Sequence, residues 1–332
     1  MKKFARILAM TMAVLMISLA GTACSKTAPA AAGTTAAGTA AGTTAAAEFV
    51  VGFANNNDVY DYCAQFRDYL VKDTEAMGIK IMVTDAGGDT NVQNGQMDDF
   101  IVQEAKVVSA ISNDLDGSVP ALEAAKTAGL PYISFLTTVK GADDYDKFIY
   151  VGSKNYDAGK MQGEYLSKAL PENAKIIYFT GQPNDQQYID RKQGLVDALA
   201  GRTDVTILKE YNTDNKKDKG MSITEDVLIA YDSFDAIVCQ NDDSALGVVE
   251  ALKAAGKLDK VIVVGIDGSA GALASIKAGE LDCSILQDAA AQAKAGAVIF
   301  GQIRDGVDPA TIEDVYVPFQ IITAENVDSL LK

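Results

Sequence analysis

The chain has 332 residues, of which 48% are hydrophobic and 22% are charged, and its 45 acidic and 29 basic residues give a formal net charge of −16. A chain this acidic, with no basic cluster, is a poor candidate for nucleic-acid binding. The sequence contains no histidine, so catalytic triads and zinc sites built on histidine are excluded.

Residues 1–23 have the layout of a secretory signal peptide. A basic start is followed by an apolar stretch over 7–20 and by small residues up to Cys24. This stretch is shorter than the roughly 20 residues that a membrane-spanning helix needs. "LAGTA" followed directly by Cys24 resembles the lipobox of bacterial lipoproteins, although Gly21 departs from that pattern. The resemblance implies lipid attachment at Cys24, and ordinary secretion without it is the alternative.

Residues 24–47 consist largely of alanine, glycine and threonine. Glycine and threonine interrupt the helix that alanine favours, so a flexible tether is predicted, with an r.m.s. span of roughly 25–30 Å. We therefore expect an extracytoplasmic domain that hangs from a lipid anchor in the cell membrane. Residues 48–332 are too many for one small core, and this length predicts two lobes.

Short apolar runs alternate with helical patterns along the rest of the chain. The predicted strands, in order, are "FVVGF", "IKIMV", "VVSAIS", "YISFL", "KFIYVG", "KIIYFT", "VTILKEY", "DAIVCQ", "VIVVGID" and "DCSILQ". The predicted helices include 59–77, 119–128, 158–170, 188–199, 221–231, 245–255, 270–278 and 290–304. Apolar strands separated by amphipathic helices are typical of parallel sheets covered on both faces, which predicts a doubly wound α/β architecture in two copies.

Two segments of the chain echo each other at a fixed offset. "AISNDLDGSVPALEAAKTAG" (110–129) and "AIVCQNDDSALGVVEALKAAG" (236–256) share a strand, a polar turn, a helix and a final glycine. Glu123 and Gly129 of the first match Glu250 and Gly256 of the second. Duplication of a lobe explains this echo, and so does convergence on common strand–turn–helix chemistry.

Polar turns follow several of the predicted strands. In open α/β sheets, ligands bind outside the carboxyl ends of the strands, so these turns hold the candidate ligand contacts. Each turn singly also suits a helix N-cap. Carboxylates and amides together match the donors and acceptors of sugar hydroxyls, and Tyr60 can pack on the apolar face of a pyranose. The turns are "NNNDVY" at 55–60, "NDLD" at 113–116, "GQPNDQQYIDR" at 181–191, "NDD" at 241–243, "DGS" at 267–269 and "QD" at 287–288.

The remaining cysteines give no sign of a metal site or cofactor. Cys63, Cys239 and Cys283 lie on apolar stretches without CxxC spacing, so we expect small buried hydrophobic residues. A pair of carboxylates such as Asp58 and Asp267 can in principle perform acid–base chemistry on a sugar. No nucleophile or phosphate-binding loop accompanies them, so we expect a binding protein and not an enzyme.

The domain resembles the type 1 periplasmic sugar-binding proteins of ABC transporters, most closely their glucose/galactose-binding branch. The likeness is carried by "YDKFIYVGSKNYDAGKMQGEYLSKAL", "IVCQNDDSALGVVEALKAAGK" and "VVGIDGSAGALASIKAGELDCSILQDAAAQAKAG". It implies two Rossmann-like lobes, joined by a multi-strand hinge, that close on a monosaccharide and deliver it to an ABC permease in the membrane. The expected lobes are 48–153 plus 288–315 and 154–287 plus 316–332, in a monomer.

The same resemblance implies a set of ligand contacts. In lobe 1, the asparagine of the family falls on Asn113, although the internal echo aligns Asp114. In lobe 2, Arg191 takes the place of the family arginine. The implied ligand-binding residues are Asp58, Tyr60, Asn113, Asp185, Gln187, Arg191, Asn212, Asn241, Asp267 and Gln287.

Three departures bear on which sugar is bound. The second stacking aromatic of the family falls near Asn212, with Tyr211 beside it. The calcium loop of some galactose binders has no counterpart, and "FLTT" at 135–138 replaces the Asp-Arg pair of pentose binders. An aldohexose such as glucose or galactose is the expected ligand. The alternatives are a receptor for a nucleoside, a pentose or a signalling sugar that feeds a sensor, and a sugar-acting enzyme.

Overall fold

The computed structural model describes residues 48–181 and 185–331. The predicted signal peptide, the tether and Cys24 lie outside the described residues. Among the helices of the described ranges, none is both long and apolar enough to span a bilayer.

Strands and helices alternate along the described chain, as the apolar runs predict. The strands are Val50–Asn55 (β1), Lys80–Asp85 (β2), Val107–Ala110 (β3), Tyr132–Phe135 (β4), Phe148–Gly152 (β5), Lys175–Thr180 (β6), Thr206–Asn212 (β7), Ala236–Cys239 (β8), Ile262–Asp267 (β9), Cys283–Leu286 (β10), Val315–Tyr316 (β11) and Gln320–Thr323 (β12). The α-helices are Asp61–Ala76 (α1), Thr90–Val102 (α2), Val119–Ala128 (α3), Asn155–Ala169 (α4), Gln186–Leu199 (α5), Lys217–Ala230 (α6), Asp242–Ala254 (α7), Ala270–Lys277 (α8) and Ala289–Arg304 (α9).

The strands form two six-stranded sheets of the same design. The first has the order β2-β1-β3-β4-β5-β11 and is parallel throughout. The second has the order β7-β6-β8-β9-β10-β12, with β12 antiparallel to β10. Helices α1, α2, α3 and α9 pack with the first sheet, which we call lobe 1, and α4 to α8 pack with the second, which we call lobe 2. The predicted doubly wound fold in two copies is confirmed, while the lobe boundaries given above stay a prediction.

Each sheet is buried on both faces, which explains its continuous apolar strands. Successive side chains of a strand point to opposite faces of the sheet. In β6, Ile177 and Phe179 therefore pack in one core of lobe 2, whereas Ile176 and Tyr178 pack in the other. All four side chains are fully buried.

The two segments of the internal echo form equivalent elements of the two lobes. Its first copy is β3 with α3 and its second is β8 with α7, and β3 and β8 hold the same position in their sheets. Gly129 and Gly256 follow the two helices in the left-handed conformation, with φ of +68° and +64°. Such a conformation at a helix end favours glycine, because glycine has no Cβ to clash.

The chain passes between the lobes three times: after β5, after β10 and between β11 and β12. Ser153, in the first crossing, donates from Oγ to the carbonyl oxygen of Val317 in the third at 2.6 Å. Gln292 on α9 donates in turn to the Ser153 Oγ at 2.7 Å. The crossings are thus tied to one another beside the cleft that separates the lobes.

Candidate ligand-binding site

A small cavity of ≈ 90 Å³ lies between the lobes, at the carboxyl ends of their strands. A single water needs about 10–15 Å³ measured in this way, so the cavity suits a compact ligand. Its lining residues come from both lobes: Asn56, Tyr60, Tyr62, Cys63, Ile111, Leu136, Asp185, Gln187, Arg191, Asn215, Gln240, Asn241, Asp243, Asp267 and Gln287.

Most of the residues that the sequence proposes as ligand contacts lie around this cavity. Strand ends far apart in the sequence meet here because the parallel strands of each lobe end at the same edge. The predicted residues that line the cavity are Tyr60, Asp185, Gln187, Arg191, Asn241, Asp267 and Gln287.

Arg191 on α5 organises the lobe 2 side of the cavity. It is buried, and its Nε donates to the Asn155 Oδ1 at 2.9 Å while Nη1 donates to the Gln240 carbonyl oxygen at 2.7 Å. Its Nη2 donates to Oε1 of Gln187 at 3.2 Å and of Gln287 at 2.8 Å. These acceptors are neutral, so the guanidinium charge offsets the cavity carboxylates. Since both glutamine oxygens face the arginine, their amide nitrogens are the ends that can donate to a ligand.

Asp267 ends β9 in a strained backbone conformation, with φ of +128°. Such a conformation is rare for a residue with a side chain and is found most often at functional sites. The backbone N–H of Asp242 reaches the Asp267 Oδ2 only at 3.5 Å. Asp242 itself is tightly held, since it accepts from the Ser284 Oγ at 2.7 Å and from the Ser269 N–H at 2.8 Å.

The buried position of these two carboxylates changes their acidity. Burial raises the pKa of Asp242 to about 7, against the favourable hydrogen bond from Ser284. Burial and the nearby Asp242 also raise the pKa of Asp267 well above its usual range, while Arg191 opposes that rise. Asp267 thus presents oxygens to the cavity that the protein itself satisfies poorly, which favours a ligand with hydroxyl donors.

Other polar residues of lobe 2 serve the fold as well as the cavity. Asp185 caps α5 by accepting from the Gln187 N–H at 2.8 Å, and burial raises its pKa. Asn241 caps α7 by accepting from the Ser244 N–H at 3.3 Å and donates from Nδ2 to the Asn215 carbonyl oxygen at 3.0 Å. A residue of these turns can therefore cap a helix and also line the cavity.

The lobe 1 side of the cavity presents aromatic rings. Tyr60 precedes the first residue of α1, and burial raises the pKa of its hydroxyl. Tyr62, in the first turn of α1, donates from its hydroxyl to the Gln292 Oε1 at 2.7 Å. Since Gln292 also binds Ser153, the Tyr62 ring is fixed by a hydrogen-bond chain that leads to the hinge.

Three predicted contacts lie outside this cavity and stay predictions. Asp58 forms an ion pair with Arg67 and accepts from the Asn55 Nδ2 at 2.5 Å. Asn212 is exposed and exchanges two hydrogen bonds with Asp214, one to its carboxylate and one from its N–H. Asn113 follows β3 and donates from its backbone N–H to a glutamine of α2.

The sequence offers two candidates for the lobe 1 contact, Asn113 and Asp114. The backbone N–H of Asn113 donates to the Gln93 Oε1 at 3.0 Å, and its Nδ2 is buried with no protein partner among the described residues. Asp114 accepts from the Gly117 N–H and so closes a turn. Neither residue lines the cavity, but the unpaired Asn113 amide is the better donor of the two.

The sequence interpretation missed several lining residues. Asn56 belongs to the turn at 55–60 but was not among the implied contacts. Tyr62, with Tyr60, supplies the aromatic surface, whereas Tyr211 packs against Phe179 in the core at 6.1 Å between ring centroids. The common signal is position, since each lies just beyond a strand end or in the next helical turn. The missed residues are Asn56, Tyr62, Cys63, Ile111, Leu136, Asn215, Gln240 and Asp243.

Leu136 is the least expected of them. It has a φ of +65°, and the N–H of Thr137 donates to the carbonyl oxygen of Phe135 at 2.6 Å across it. A bulky residue in this conformation is strained. Leu136 also lines a neighbouring cavity of ≈ 600 Å³, which shares Gln187 with the first. It therefore forms part of the wall between the two cavities.

Comparison with known sequences gives relatives along most of the chain. A model of the family described as periplasmic binding protein domain matches residues 51–306. A Rhizobium meliloti protein assigned as rhizopine-binding is 30% identical over 255 residues, which cover 75% of this chain and 81% of that protein. The ribose import binding protein of Haemophilus influenzae is 28% identical over 242 residues, 72% of this chain and 80% of that protein.

Solved structures are similar over the same region. An ABC transporter solute binding protein from Bacillus halodurans, with bound myo-inositol, superposes with a TM-score of 0.80 at 28% identity and covers 85% of this chain and 97% of its own. The Caulobacter myo-inositol binding protein superposes with a TM-score of 0.79 at 27% identity, over 85% of this chain and 95% of its own.

Proposed function

The chain belongs to the periplasmic binding protein family, and we propose that it captures a monosaccharide or a similar cyclic polyol between its lobes and delivers it to an ABC importer. The observation that carries this proposal is the small cavity that both lobes line at the carboxyl ends of their strands. A ligand bound there contacts both lobes at once and so stabilises the closed arrangement.

The chemistry of lobe 2 supports a neutral ligand rich in hydroxyl groups. Each hydroxyl can donate one hydrogen bond and accept two. Asp267 supplies an acceptor, while the amide nitrogens of Gln187 and Gln287 supply donors whose orientation Arg191 fixes. A polar group left unpaired in such a site costs about 1–3 kcal/mol, so the arrangement can reject a wrong epimer.

A six-membered ring is the favoured ligand. The sequence expectation of an aldohexose such as glucose or galactose stays a prediction, and the myo-inositol complexes of two relatives support a ring of the same size. "FLTT" in place of the pentose binders' Asp-Arg pair argues against a pentose. The relatives are solute-binding proteins and not enzymes, so binding without turnover is expected.

A ligand screen tests this function directly. Thermal unfolding of residues 48–332 is followed with aldohexoses, pentoses and myo-inositol, and hits are measured by calorimetry. A ligand that binds only the folded state stabilises it by about 2.7 kcal/mol at 100 times its Kd. One ring class that raises the Tm and is recovered unchanged is the expected result. The absence of any polyol that binds would overturn the proposal.

The start of the chain carries the anchoring part of the proposal. A signal peptide over 1–23, a lipid on Cys24 and a tether over 24–47 place the binding domain outside the cell membrane, as a monomer beside its permease. Metabolic labelling with a radioactive fatty acid should mark the chain, and Cys24→Ala should abolish the label. A labelled Cys24→Ala variant, or an unlabelled parent, would contradict the anchor without affecting the ligand assignment.

A further inference from the structure

The two lobes line the cavity with opposite chemistry. Lobe 1 contributes aromatic and apolar residues with a single amide: Asn56, Tyr60, Tyr62, Cys63, Ile111 and Leu136. The described residues that lobe 2 contributes are charged or carry amides, among them Gln187, Arg191, Asp267 and Gln287. A ligand between them therefore meets a polar surface on one side and an apolar surface on the other.

Several polar atoms of lobe 1 are engaged elsewhere. The Tyr62 hydroxyl donates to Gln292, and the Asn56 Oδ1 accepts from the Asn57 N–H at 2.7 Å. The Asp58 carboxylate, which the sequence expected to bind a hydroxyl, is paired with Arg67 instead. Burial raises the pKa of the Cys63 thiol, which therefore stays neutral and behaves as a small apolar group.

Ile111 and Leu136 complete the apolar side. Both are buried and follow β3 and β4, the positions from which a hydroxyl-binding side chain could reach the cavity. The Leu136 side chain is kept at this point although its backbone is strained. Strain of this kind persists only where the surroundings enforce it.

We propose that the site selects a polyhydroxylated ring with a methyl-bearing edge, such as a 6-deoxyhexose or an O-methyl cyclitol, over the fully hydroxylated ring. This inference rests on the proposed function and specifies its ligand class. The hydroxyl groups of one edge bind Asp267, Gln187 and their neighbours on lobe 2. The methyl group packs against Ile111 and Leu136 on lobe 1.

Two effects favour the methyl-bearing ring. A hydroxyl pressed against Ile111 or Leu136 loses its bonds to water and gains none from the protein. A methyl group in the same place removes apolar surface from water on both partners. Together these effects correspond to a preference of about tenfold or more in Kd.

The experiment compares matched ligand pairs by calorimetry on the parent protein. The pairs are D-galactose with D-fucose, D-glucose with 6-deoxy-D-glucose, and myo-inositol with a mono-O-methyl ether of it. In at least one pair we expect the methyl-bearing member to bind about tenfold tighter. Equal or weaker binding of that member in each pair that binds overturns the inference but leaves the proposed function intact. If no member of any pair binds but another polyol does, the inference is overturned and the proposed function stands. If no polyol binds, both are overturned.

A substitution at Leu136 tests whether this side chain causes the preference for a methyl-bearing ring. Leu136→Asn adds a polar amide at a position whose positive φ asparagine tolerates well. We expect it to reduce the preference for the methyl-bearing ring by about fivefold or more. Leu136→Met keeps the side chain apolar, so this variant should still prefer the methyl-bearing ring. Val102→Asn, on a surface where Val102 is 80% exposed, is the control outside the site. A Leu136→Asn variant that folds, by its thermal transition, and keeps the parent's full preference refutes the role of Leu136.

Discussion

Lobe 1 and lobe 2 share one strand order and each receives a sixth strand from the end of the chain, but their strand ends differ in chemistry. In lobe 1 the cavity is lined mainly by aromatic and apolar side chains, with one amide, and in lobe 2 by carboxylates, amides and an arginine. The sheets are buried on both faces, so their strands must stay apolar in both lobes. The residues at the strand ends do not have to be apolar. Two lobes with the same fold can therefore carry different side chains there and form chemically different sides of one site.

Helix packing in lobe 2 brings its polar half into place. Helices α4 and α5 cross so closely that a Cβ on Gly159 would lie 1.7 Å from the carbonyl oxygen of Arg191. A Cβ on Gly194 would lie 2.0 Å from the carbonyl oxygen of Tyr156. Since Arg191 and Asn155 are hydrogen-bonded across this crossing, the two glycines help to set the position of the arginine.

The largest expected effect comes from Arg191, compared with Arg67 of lobe 1. Arg191→Met leaves the cavity carboxylates without their cation and four hydrogen-bond acceptors without their donor. We expect ligand affinity to fall by about 100-fold or more and the free energy of unfolding to fall by about 1–3 kcal/mol, because buried acceptors lose their donor. Arg67→Met removes a partly exposed ion pair with Asp58 and should cost about 0–1 kcal/mol. Calorimetry and urea unfolding measure both, and equal losses in the two variants would contradict the asymmetry.

A second comparison sets Asp267 against Asp58. Asp267→Asn removes an acceptor that faces the ligand, and affinity should fall by about 10- to 100-fold. The ligand-free protein should become slightly more stable near neutral pH, because a neutral amide replaces a buried carboxylate whose pKa is raised. Asp58→Asn should change affinity by less than about threefold. A loss at Asp58 as large as that at Asp267 would instead establish the sequence assignment of Asp58 as a contact.

The sequence predicts the fold better than the site because apolar periodicity reports burial and says little about where a polar side chain points. All of its predicted strands correspond to β1 to β10, and α3 has the predicted bounds of 119–128. Helices α5, α6 and α7 begin two to four residues earlier than predicted, because their first turns are polar and lie outside the apolar pattern. The short strands β11 and β12 follow no strand–helix repeat and were not predicted.

At the site, residue type alone cannot separate a ligand contact from a residue engaged elsewhere. Asp58 and Asp267 are both carboxylates at or just beyond the carboxyl end of a strand, but Arg67 on α1, nine residues after Asp58, pairs with the first. A search for hydrogen-bonding side chains does not select Leu136, and its strained backbone is a property of the folded chain. The sequence therefore names most of the residues that line the cavity from lobe 2, but only Tyr60 among those that line it from lobe 1.

A smaller effect is expected from the helix crossing of lobe 2. Gly194→Ala places a methyl group against the backbone of α4, so the helices must separate. We expect the free energy of unfolding to fall by about 1–3 kcal/mol and ligand affinity by about fivefold, since Arg191 moves with α5. Gly201→Ala, after the end of the same helix, meets open space and should leave both unchanged. Unaltered affinity in a folded Gly194→Ala variant would show that the close contact of α4 and α5 does not set the position of Arg191.

The smallest effect concerns the electrostatic repulsion between Asp61 of lobe 1 and Asp243 of lobe 2. Burial, and then the negative charge of Asp61 on α1 of lobe 1, raise the pKa of Asp243 in lobe 2 to about 6, against the opposing charge of Lys217. The folded protein therefore holds this proton at a higher pH than the unfolded chain does, so the stabilisation is present at low pH and is lost as the pH rises through about 6. Asp242, whose pKa burial raises to about 7, lowers stability over the same range. We therefore expect the Tm of the ligand-free protein to fall by at least about 2–4 °C between about pH 5 and pH 7.5, and the difference between the parent and Asp243→Asn gives the share of Asp243. Asp243→Asn should reduce that fall and Asp61→Asn should shift its midpoint downward, because removing either charge removes the repulsion between the lobes. A midpoint that Asp61→Asn leaves unmoved would place the cause of the shift within lobe 2 alone.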